Sequence, residues 1–247
     1  MLVPGKILAG LLLLASASYA QEGGDVQAQI LYAYHTEDTN SLTSLIQGIS
    51  AKLKDAPGDG ALRYHLAHAQ YRFGELSAAG KSRRAQPAFS ECIDDLKPLL
   101  QNDVKSAEAL VLQGACYGEL AELSSVQALL LRSRAADRLR EAVKLAPRNP
   151  RLLLIEATLG LERSKPDSPE RREALAQLDA AVEEFDTSSA TSIDVPGWGH
   201  AEAYLAMGRA RLALGDTVGA RNWIERSLIA APDYKSAQRQ LASLEEH

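Results

Sequence analysis

Patterns typical of β-strands are almost absent from this sequence, and their absence limits the fold. β-Branched runs are few, and no Asn-Gly or Asp-Gly turn joins two segments of alternating polarity. Apolar and alanine residues instead recur every three or four positions, which is the period of amphipathic helices. The good helix formers Ala, Leu, Glu, Arg and Gln dominate the composition. The sequence therefore predicts an all-α fold.

Motifs of the common enzyme classes are also missing. No G-x-S-x-G, P-loop or H-E-x-x-H pattern occurs in the chain. A thiol–imidazole pair could be assembled from Cys116 and a histidine, but no neighbouring residue in the sequence would activate that cysteine. We therefore expect a protein that is not an enzyme and that needs no cofactor.

Positive charge is scarce for a nucleic-acid-binding protein. Lys and Arg number 27 against 32 Asp and Glu, and the formal net charge is −5. The one dense basic run, K-S-R-R at Lys81 to Arg84, is typical of a solvated loop. Because nucleic-acid binding depends on many phosphate contacts, we exclude nucleic acid as a partner.

Long apolar runs are missing outside the N-terminus. Lys6 precedes a short apolar run from Ile7 to Ala15, and Ser18-Tyr19-Ala20 supplies the small residues of a cleavage site. A membrane-spanning helix needs about 20 apolar residues, more than this run provides. We expect a signal peptide over residues 1–20, cleaved after Ala20, with an uncleaved anchor as the alternative. The mature protein would be periplasmic or secreted, with no integral membrane segment.

Cysteine is nearly absent, because Cys92 and Cys116 are the only two. In an oxidising compartment two thiols can form one disulfide. The alternative is that both pack as small buried residues between helices. The sequence leaves these two possibilities open.

The clearest internal pattern lies between residues 201 and 232. Its spacing follows W-x2-L-G-x2-Y, then A-x3-F, then P over about 34 residues. The matching positions are Tyr204, Met207, Gly208, Gly215, Ala220, Ile224 and Pro232. Gly208 and Ala220 would allow two helices to pack closely, and Pro232 would end the second helix. The segment resembles a tetratricopeptide repeat, although Arg211 stands where that family has an aromatic residue.

Weaker copies of the same unit precede it. The resemblance implies an α-solenoid of antiparallel helix pairs with a concave surface, because such units bury their apolar faces only by stacking. An irregular helical bundle is the alternative. The predicted segments are residues 1–20 (signal peptide), 21–60 (N-terminal helices) and 61–247 (repeat domain), with repeats at 61–100, 107–147, 150–185 and 201–232 and a capping helix at 234–246. Leu120 to Arg134 is a long insertion, which either extends both helices or forms a protruding loop.

Three further segments carry a looser resemblance. Asn149-Pro150-Arg151 follows one repeat, Lys165 to Pro169 forms a Pro-containing loop, and Trp198-Gly199 comes later. This order is similar to that of bacterial envelope tetratricopeptide proteins such as the T component associated with TRAP transporters, although the Gly-Gly usual in the middle loop is missing. That resemblance implies ligand handling in the periplasm.

The tetratricopeptide resemblance also implies where a partner would bind, because the first helix of each pair lines the concave surface. The expected partner-binding residues are His65, Arg72, Phe73, Glu108, Glu119, Arg151, Glu162, Glu202, Leu205 and Arg209. Their mixed character would suit an extended peptide. Trp198, in the long segment Asp186 to Gly199, would either contact a ligand or join the third unit to the fourth. The alternative for each helix position is an ordinary solvated surface.

Two histidines raise the question of a metal site. His65 and His68 lie three residues apart on one predicted helix, a spacing that places both imidazoles on one face. His35, Glu75 or Glu91 would have to complete the ligand set, and no spacing in the sequence requires that. Because His68 occupies the close-packing position, we expect a buried, hydrogen-bonded histidine and no metal.

Two functions remain in competition. The first is a non-enzymatic exported scaffold that binds another envelope protein or peptide through its concave face. The second is a periplasmic accessory of a transport system that binds a small-molecule ligand. An open groove with exposed Phe73 and Leu205 would favour the first function. A closed pocket containing Trp198 and arginine side chains would favour the second.

Overall fold

The computed structural model describes residues 26–101, 106–187 and 196–245 of the chain. These residues form helices and no strands, which confirms the all-α prediction. The first described helix, α1, covers residues 26–35. The others are α2 (Thr39–Asp55), α3 (Gly60–Ala79), α4 (Ala85–Leu100), α5 (Ala107–Glu122), α6 (Ala128–Leu145), α7 (Pro150–Arg163), α8 (Pro169–Thr187), α9 (His200–Ala213), α10 (Thr217–Ala230) and α11 (Lys235–Glu245). The predicted signal peptide lies outside the described residues.

Helices that are neighbours in sequence pack against each other in pairs. The extensively packed pairs are α3–α4, α5–α6, α7–α8 and α9–α10, and α2 and α11 pack onto the ends of this series. The first helix of one pair also contacts the first helix of the next, from α3 to α5 and from α5 to α7. We call the side formed by α3, α5, α7 and α9 the inner face.

Side-chain caps fix where several helices begin. Asp59 accepts a hydrogen bond from the Leu62 N–H at the start of α3, and Ser106 accepts one from Ala109 at the start of α5. At the starts of α8 and α10, Ser168 Oγ accepts from the Arg171 N–H and Asp216 Oδ1 accepts from the Gly219 N–H. Each cap satisfies a backbone donor that the helix cannot satisfy itself.

The insertion between Leu120 and Arg134 lengthens two helices. Helix α5 continues to Glu122 and α6 begins at Ala128, so only five residues connect them. Of the two alternatives for this segment, helix extension is therefore the observed one. The short connection and the first turns of α6 leave Val126 and Leu129 exposed.

Close contacts between paired helices occur at glycines. A Cβ atom at Gly208 would lie 2.7 Å from Ile224 Cγ1 and 3.2 Å from the Ala220 carbonyl oxygen, so a side chain cannot be added without movement. In the α3–α4 pair the equivalent approach is at Gly74, where a Cβ would lie 2.6 Å from the Phe89 ring. The close contact of this first pair is thus at position 74, about 1.7 turns beyond His68.

One disulfide crosses between adjacent helix pairs. The Sγ atoms of Cys92 on α4 and Cys116 on α5 are 2.01 Å apart, and both residues are fully buried. The bond closes a loop of 24 residues in sequence separation. It therefore covalently joins the second helix of one pair to the first helix of the next.

Helix α1 brings the N-terminal end of the described chain to the C-terminal end. The His35 and Tyr234 rings are 4.5 Å apart between centroids, and Tyr34 lies 6.0 Å from the same tyrosine. Glu37 accepts two hydrogen bonds from Arg239 on α11, at 2.8 and 2.5 Å. None of the helices in the described part of the chain combines the length and apolar character needed to cross a membrane.

Candidate functional site

Trp198 lies at the centre of the inner face. It is 2% exposed, and its indole Nε1 donates a hydrogen bond to the Tyr64 hydroxyl at 3.0 Å. Its ring stacks on the His68 imidazole, with centroids 5.6 Å apart. Residues 188–195 of the predicted Asp186–Gly199 segment lie outside the described residues. The indole joins the chain just before α9 to helix α3, rather than only linking the third helix pair to the fourth.

Gly199 allows the chain to turn immediately after this tryptophan. Its φ is +108°, a conformation that L side chains rarely adopt. A Cβ at this position would also lie 2.5 Å from the Phe185 ring and 3.3 Å from Arg151 Cγ. Glycine is therefore required here both by the backbone conformation and by the lack of space.

Arg151 holds the backbone on the N-terminal side of Trp198. Its guanidinium binds both carboxylate oxygens of Glu108 at 2.7 Å and donates to the Pro196 carbonyl at 2.7 Å. Asn149 donates to the same Glu108 carboxylate at 2.6 Å and also caps α7. Two of the segments that carry the resemblance to TRAP-associated proteins, Asn149-Pro150-Arg151 and Trp198-Gly199, are thus in direct contact.

Arg72 lies on the other side of Trp198 and connects α3 to α9. It is 3% exposed, and its guanidinium donates to Glu75 at 2.8 Å and to Glu202 at 2.6 Å. Its Cζ lies 4.2 Å from the Tyr34 ring centroid and 5.1 Å from that of Trp198. A buried guanidinium that is paired with carboxylates and stacked on aromatic rings is held in one orientation.

The electrostatics of this network place a stable charge on Glu202. Burial would raise the pKa of Glu202, but Arg72 and His35 outweigh that effect and lower the pKa to about 2. Burial raises the pKa of Glu75, and Arg72 offsets only part of this rise. Glu202 also accepts a hydrogen bond from the Gly199 N–H at 3.0 Å, so the same carboxylate caps α9.

A cavity of about 200 Å³ lies beside this network. Its walls come from the first helix of every pair, together with Trp198, Tyr34 of α1 and Tyr234 before α11. The aromatic rings and Arg72 form one wall, and Leu154, Ile155 and Leu159 of α7 contribute an apolar wall. Pockets for drug-sized ligands are larger, roughly 300–1,000 Å³, so this cavity fits a smaller molecule.

Glu119 on α5 lines the same cavity but has a different environment. The described residues include no hydrogen-bond donor or cation in contact with its carboxylate. Burial raises the pKa of Glu119 to about 8, and the nearby carboxylates of Glu75, Glu162 and Glu122 add to the rise. The cavity therefore contains a carboxyl group that titrates close to neutral pH.

The structure separates the predicted partner-binding residues into two groups. Those that line the cavity are Arg72, Glu119, Glu162, Trp198, Glu202, Leu205 and Arg209. Glu108 and Arg151 lie behind Trp198, while His65 and Phe73 lie elsewhere on α3. Exposure of Phe73 and Leu205 would have favoured an open groove, but they are 5% and 1% exposed because they pack into hydrophobic clusters.

The two histidines of α3 are not arranged as a metal site. His68 is fully buried, and its Nε2 accepts a hydrogen bond from Arg72 Nε at 3.1 Å. Burial lowers the pKa of both His65 and His68, so the neutral forms are favoured. Within the described ranges no group of three or more His, Cys, Asp or Glu side chains is placed to hold a metal ion.

Several cavity residues escaped sequence reasoning. Glu75 is three residues after Arg72 on one helix, a spacing that would have indicated an ion pair. Tyr34 and Tyr234 had no comparable signal, because neither lies in a predicted first helix and the contact joins opposite ends of the chain. No protein-family model matches this chain, and no curated protein matches it either.

Proposed function

We propose that this chain is a non-enzymatic binding protein that takes a small polar ligand into the cavity of its inner face. The observation that carries the proposal is the placement of Trp198, Arg72 and Glu119 around one cavity. A concave site with a few convergent polar groups and a perturbed carboxyl is the usual form of a ligand site. The burial of Phe73 and Leu205 argues against an open peptide groove on this face.

We also propose that the chain is a tetratricopeptide-like solenoid and that it is exported. A tetratricopeptide-like solenoid is supported by the close contacts at Gly114 and Gly208, and by the contacts between successive first helices. Export is supported by the N-terminal pattern of residues 1–20 and by the disulfide between Cys92 and Cys116, which suits an oxidising compartment. The ligand-binding role follows the resemblance to periplasmic accessories of transport systems.

Fluorescence of Trp198 would test ligand binding directly. Trp223 should be replaced by Phe, so that Trp198 remains the one tryptophan of the chain. Periplasmic metabolite fractions would then be added to the purified protein, and active fractions resolved by native mass spectrometry. We expect a saturable change in emission and a bound small molecule of defined mass.

A cavity-filling variant supplies the control. Ala206 lines the cavity, so Ala206→Phe should abolish the response. Ala136→Phe adds the same side chain at an exposed position of α6 and should leave the response unchanged. Equal responses in both variants, or no saturable response from any fraction, would contradict the proposed function.

Binding of another envelope protein is a second candidate function, on a different surface. Val126, Leu129 and Leu130 are 92, 83 and 53% exposed at the corner between α5 and α6. Adjacent exposed apolar side chains often mark protein-binding surfaces. Helix α6 carries five basic residues and two acidic ones in a chain whose net charge is −5, which favours an acidic partner segment.

Site-specific crosslinking would separate this second function from the first. A photo-crosslinker at Leu129 should capture one recurrent envelope protein through an acidic segment, whereas one at Leu214, which is 55% exposed elsewhere, should not. Capture of unrelated proteins from both positions would count against the adaptor role and leave the cavity as the functional site.

A further inference from the structure

The charges around the cavity are unevenly compensated. Arg72 and Arg209 face four carboxylates of the lining, those of Glu75, Glu119, Glu162 and Glu202. Arg72 is paired with two of these, at 2.8 and 2.6 Å, so its positive charge is already neutralised. Arg209 is exposed at the rim and donates a hydrogen bond to Ser236 at 2.8 Å. When all four carboxyl groups are ionised, the lining as a whole carries an excess of negative charge.

This excess is concentrated between α5 and α7. Glu119 and Glu162 lie there with Thr158, and no lining residue in the described part of the chain supplies a cation on that side. Arg163, outside the lining, acts on Glu162 but not on Glu119. Burying a carboxylate without a partner costs free energy, so most proteins pair such a group or leave it in solvent. Here Glu119 is half-buried and faces a cavity that a ligand can enter, while Glu162 of the same lining is exposed.

The cavity wall next to Glu119 sets a second requirement for the ligand. Ile155 and Leu159 of α7 and Ala115 of α5 form an apolar surface next to Glu119. The Tyr71 ring borders the same space on α3, and an aromatic face attracts cations. A matching ligand would place a positive head at the carboxylates and a short apolar stem against this wall.

We propose that the ligand is a small aliphatic amine, bound in its ammonium form with the head at Glu119 and Glu162 and the alkyl chain against Ile155 and Leu159. This inference rests on the proposed ligand-binding function and specifies its chemical class. The ammonium group would supply the cation that the cavity lining lacks beside Glu119. It donates up to three hydrogen bonds, which the two carboxylates and the Thr158 hydroxyl can accept.

Isothermal titration calorimetry with matched probes would test the class of ligand. The probes are n-butylamine, putrescine, 1-butanol, butyrate and Mg²⁺, each titrated into the full exported chain at pH 8. We expect saturable binding of one or both amines and no binding of the alcohol, the carboxylate or the metal ion. Binding of butyrate or 1-butanol without the amines would overturn the amine assignment.

Two variants locate the binding event. Glu119→Gln removes the charge and keeps the shape, and we expect it to weaken amine binding at least tenfold. Glu156→Gln is the matched control, because Glu156 is also a half-buried carboxyl with a raised pKa but does not line the cavity. Equal affinity for the amine in wild type and Glu119→Gln would overturn the proposed position of the ammonium group.

The same experiment separates this inference from the proposed function. If a neutral or anionic probe binds and Ala206→Phe abolishes its binding, the cavity is a ligand site and only the amine assignment fails. If no amine binds while a metabolite of another class shifts Trp198 emission, again only the amine assignment fails. If no probe or metabolite binds at all, both proposals fail together.

Discussion

At the scale of single residues, Gly208 and Gly48 are both glycines inside helices, but only Gly208 has a close neighbour. A Cβ at Gly208 would lie 2.7 Å from Ile224, whereas nothing lies within 4 Å of one at Gly48. We expect Gly208→Ala to destabilise the protein by about 1–2 kcal/mol, because overpacking outweighs the gain in helix propensity. Gly48→Ala should stabilise it by up to about 1 kcal/mol. Urea unfolding of both variants measures the difference, and two shifts of the same sign would contradict this account.

Glu119 gives a second prediction at the residue scale. Its pKa is raised to about 8 in the folded state, mainly by burial and also by Glu75, Glu162 and Glu122. Between about pH 4.5 and 8 the folded protein therefore holds a proton that the unfolded chain has released. Stability should fall as pH rises through this range, and Glu119→Gln should remove that part of the fall.

Free energies of unfolding at pH 5 and pH 8 measure this effect. The wild type should lose on the order of 2 kcal/mol more than Glu119→Gln, a value reduced from the full linkage because the side chain is partly solvent-accessible. A parallel pH dependence of the two proteins would show that Glu119 has an ordinary pKa in the folded state.

At the scale of helices, the disulfide between α4 and α5 is a covalent constraint between two helix pairs. It closes a loop with a sequence separation of 24 residues. The chain-entropy estimate for a loop of this length is about 3.5 kcal/mol, so Cys92→Ala with Cys116→Ala should lower the free energy of unfolding by roughly that amount. Alkylation after unfolding without reductant gives the chemical check, since a protein with two reactive thiols would lack the bond.

Most of the helices could be predicted because their signals are local. The Pro-containing loop at Lys165–Pro169 and the glycine of the repeat pattern at Gly215 both lie between helices, and Ser168 and Asp216 cap the helices that follow. The outcome at Leu120–Arg134 could not be decided, because the spacing allowed longer helices or a loop equally well. Periodicity shows which face of a helix is apolar, but not which distant segment covers it.

At the scale of the whole molecule, the inner face could be predicted only in part, because periodicity does not show which distant segment covers a helix. Its first-helix residues were identified through the repeat pattern, including Arg72, Glu119 and Glu202. The repeat pattern gave no indication that Arg72 and Leu205 are buried, because the covering groups are Trp198, α1 and Tyr234. These covering segments come from elsewhere in the chain, and the contact between Arg72 and Glu202 spans 130 residues. No local pattern encodes such a pairing.

Two ion pairs join distant parts of the chain, and their burial should decide how much each contributes. Arg72 with Glu202 is buried, with side chains 3 and 12% exposed, whereas Arg239 with Glu37 is 62 and 30% exposed. Removing one partner of a buried pair leaves an uncompensated charge, so Arg72→Met should cost about 3–5 kcal/mol. Glu202→Gln should cost less, because Glu75 still binds Arg72.

Double-mutant cycles on the free energy of unfolding compare the two pairs. For Arg72→Met with Glu202→Gln we expect a coupling energy of at least about 1 kcal/mol, since the residues share one buried network. For Arg239→Met with Glu37→Gln we expect less than about 1 kcal/mol and a decrease at high salt. If the exposed pair couples as strongly as the buried one, the two ends of the chain are held together by surface charge rather than by the packed network around Trp198. In that case the inner face would depend on ionic strength, and ligand binding in the cavity should weaken with added salt.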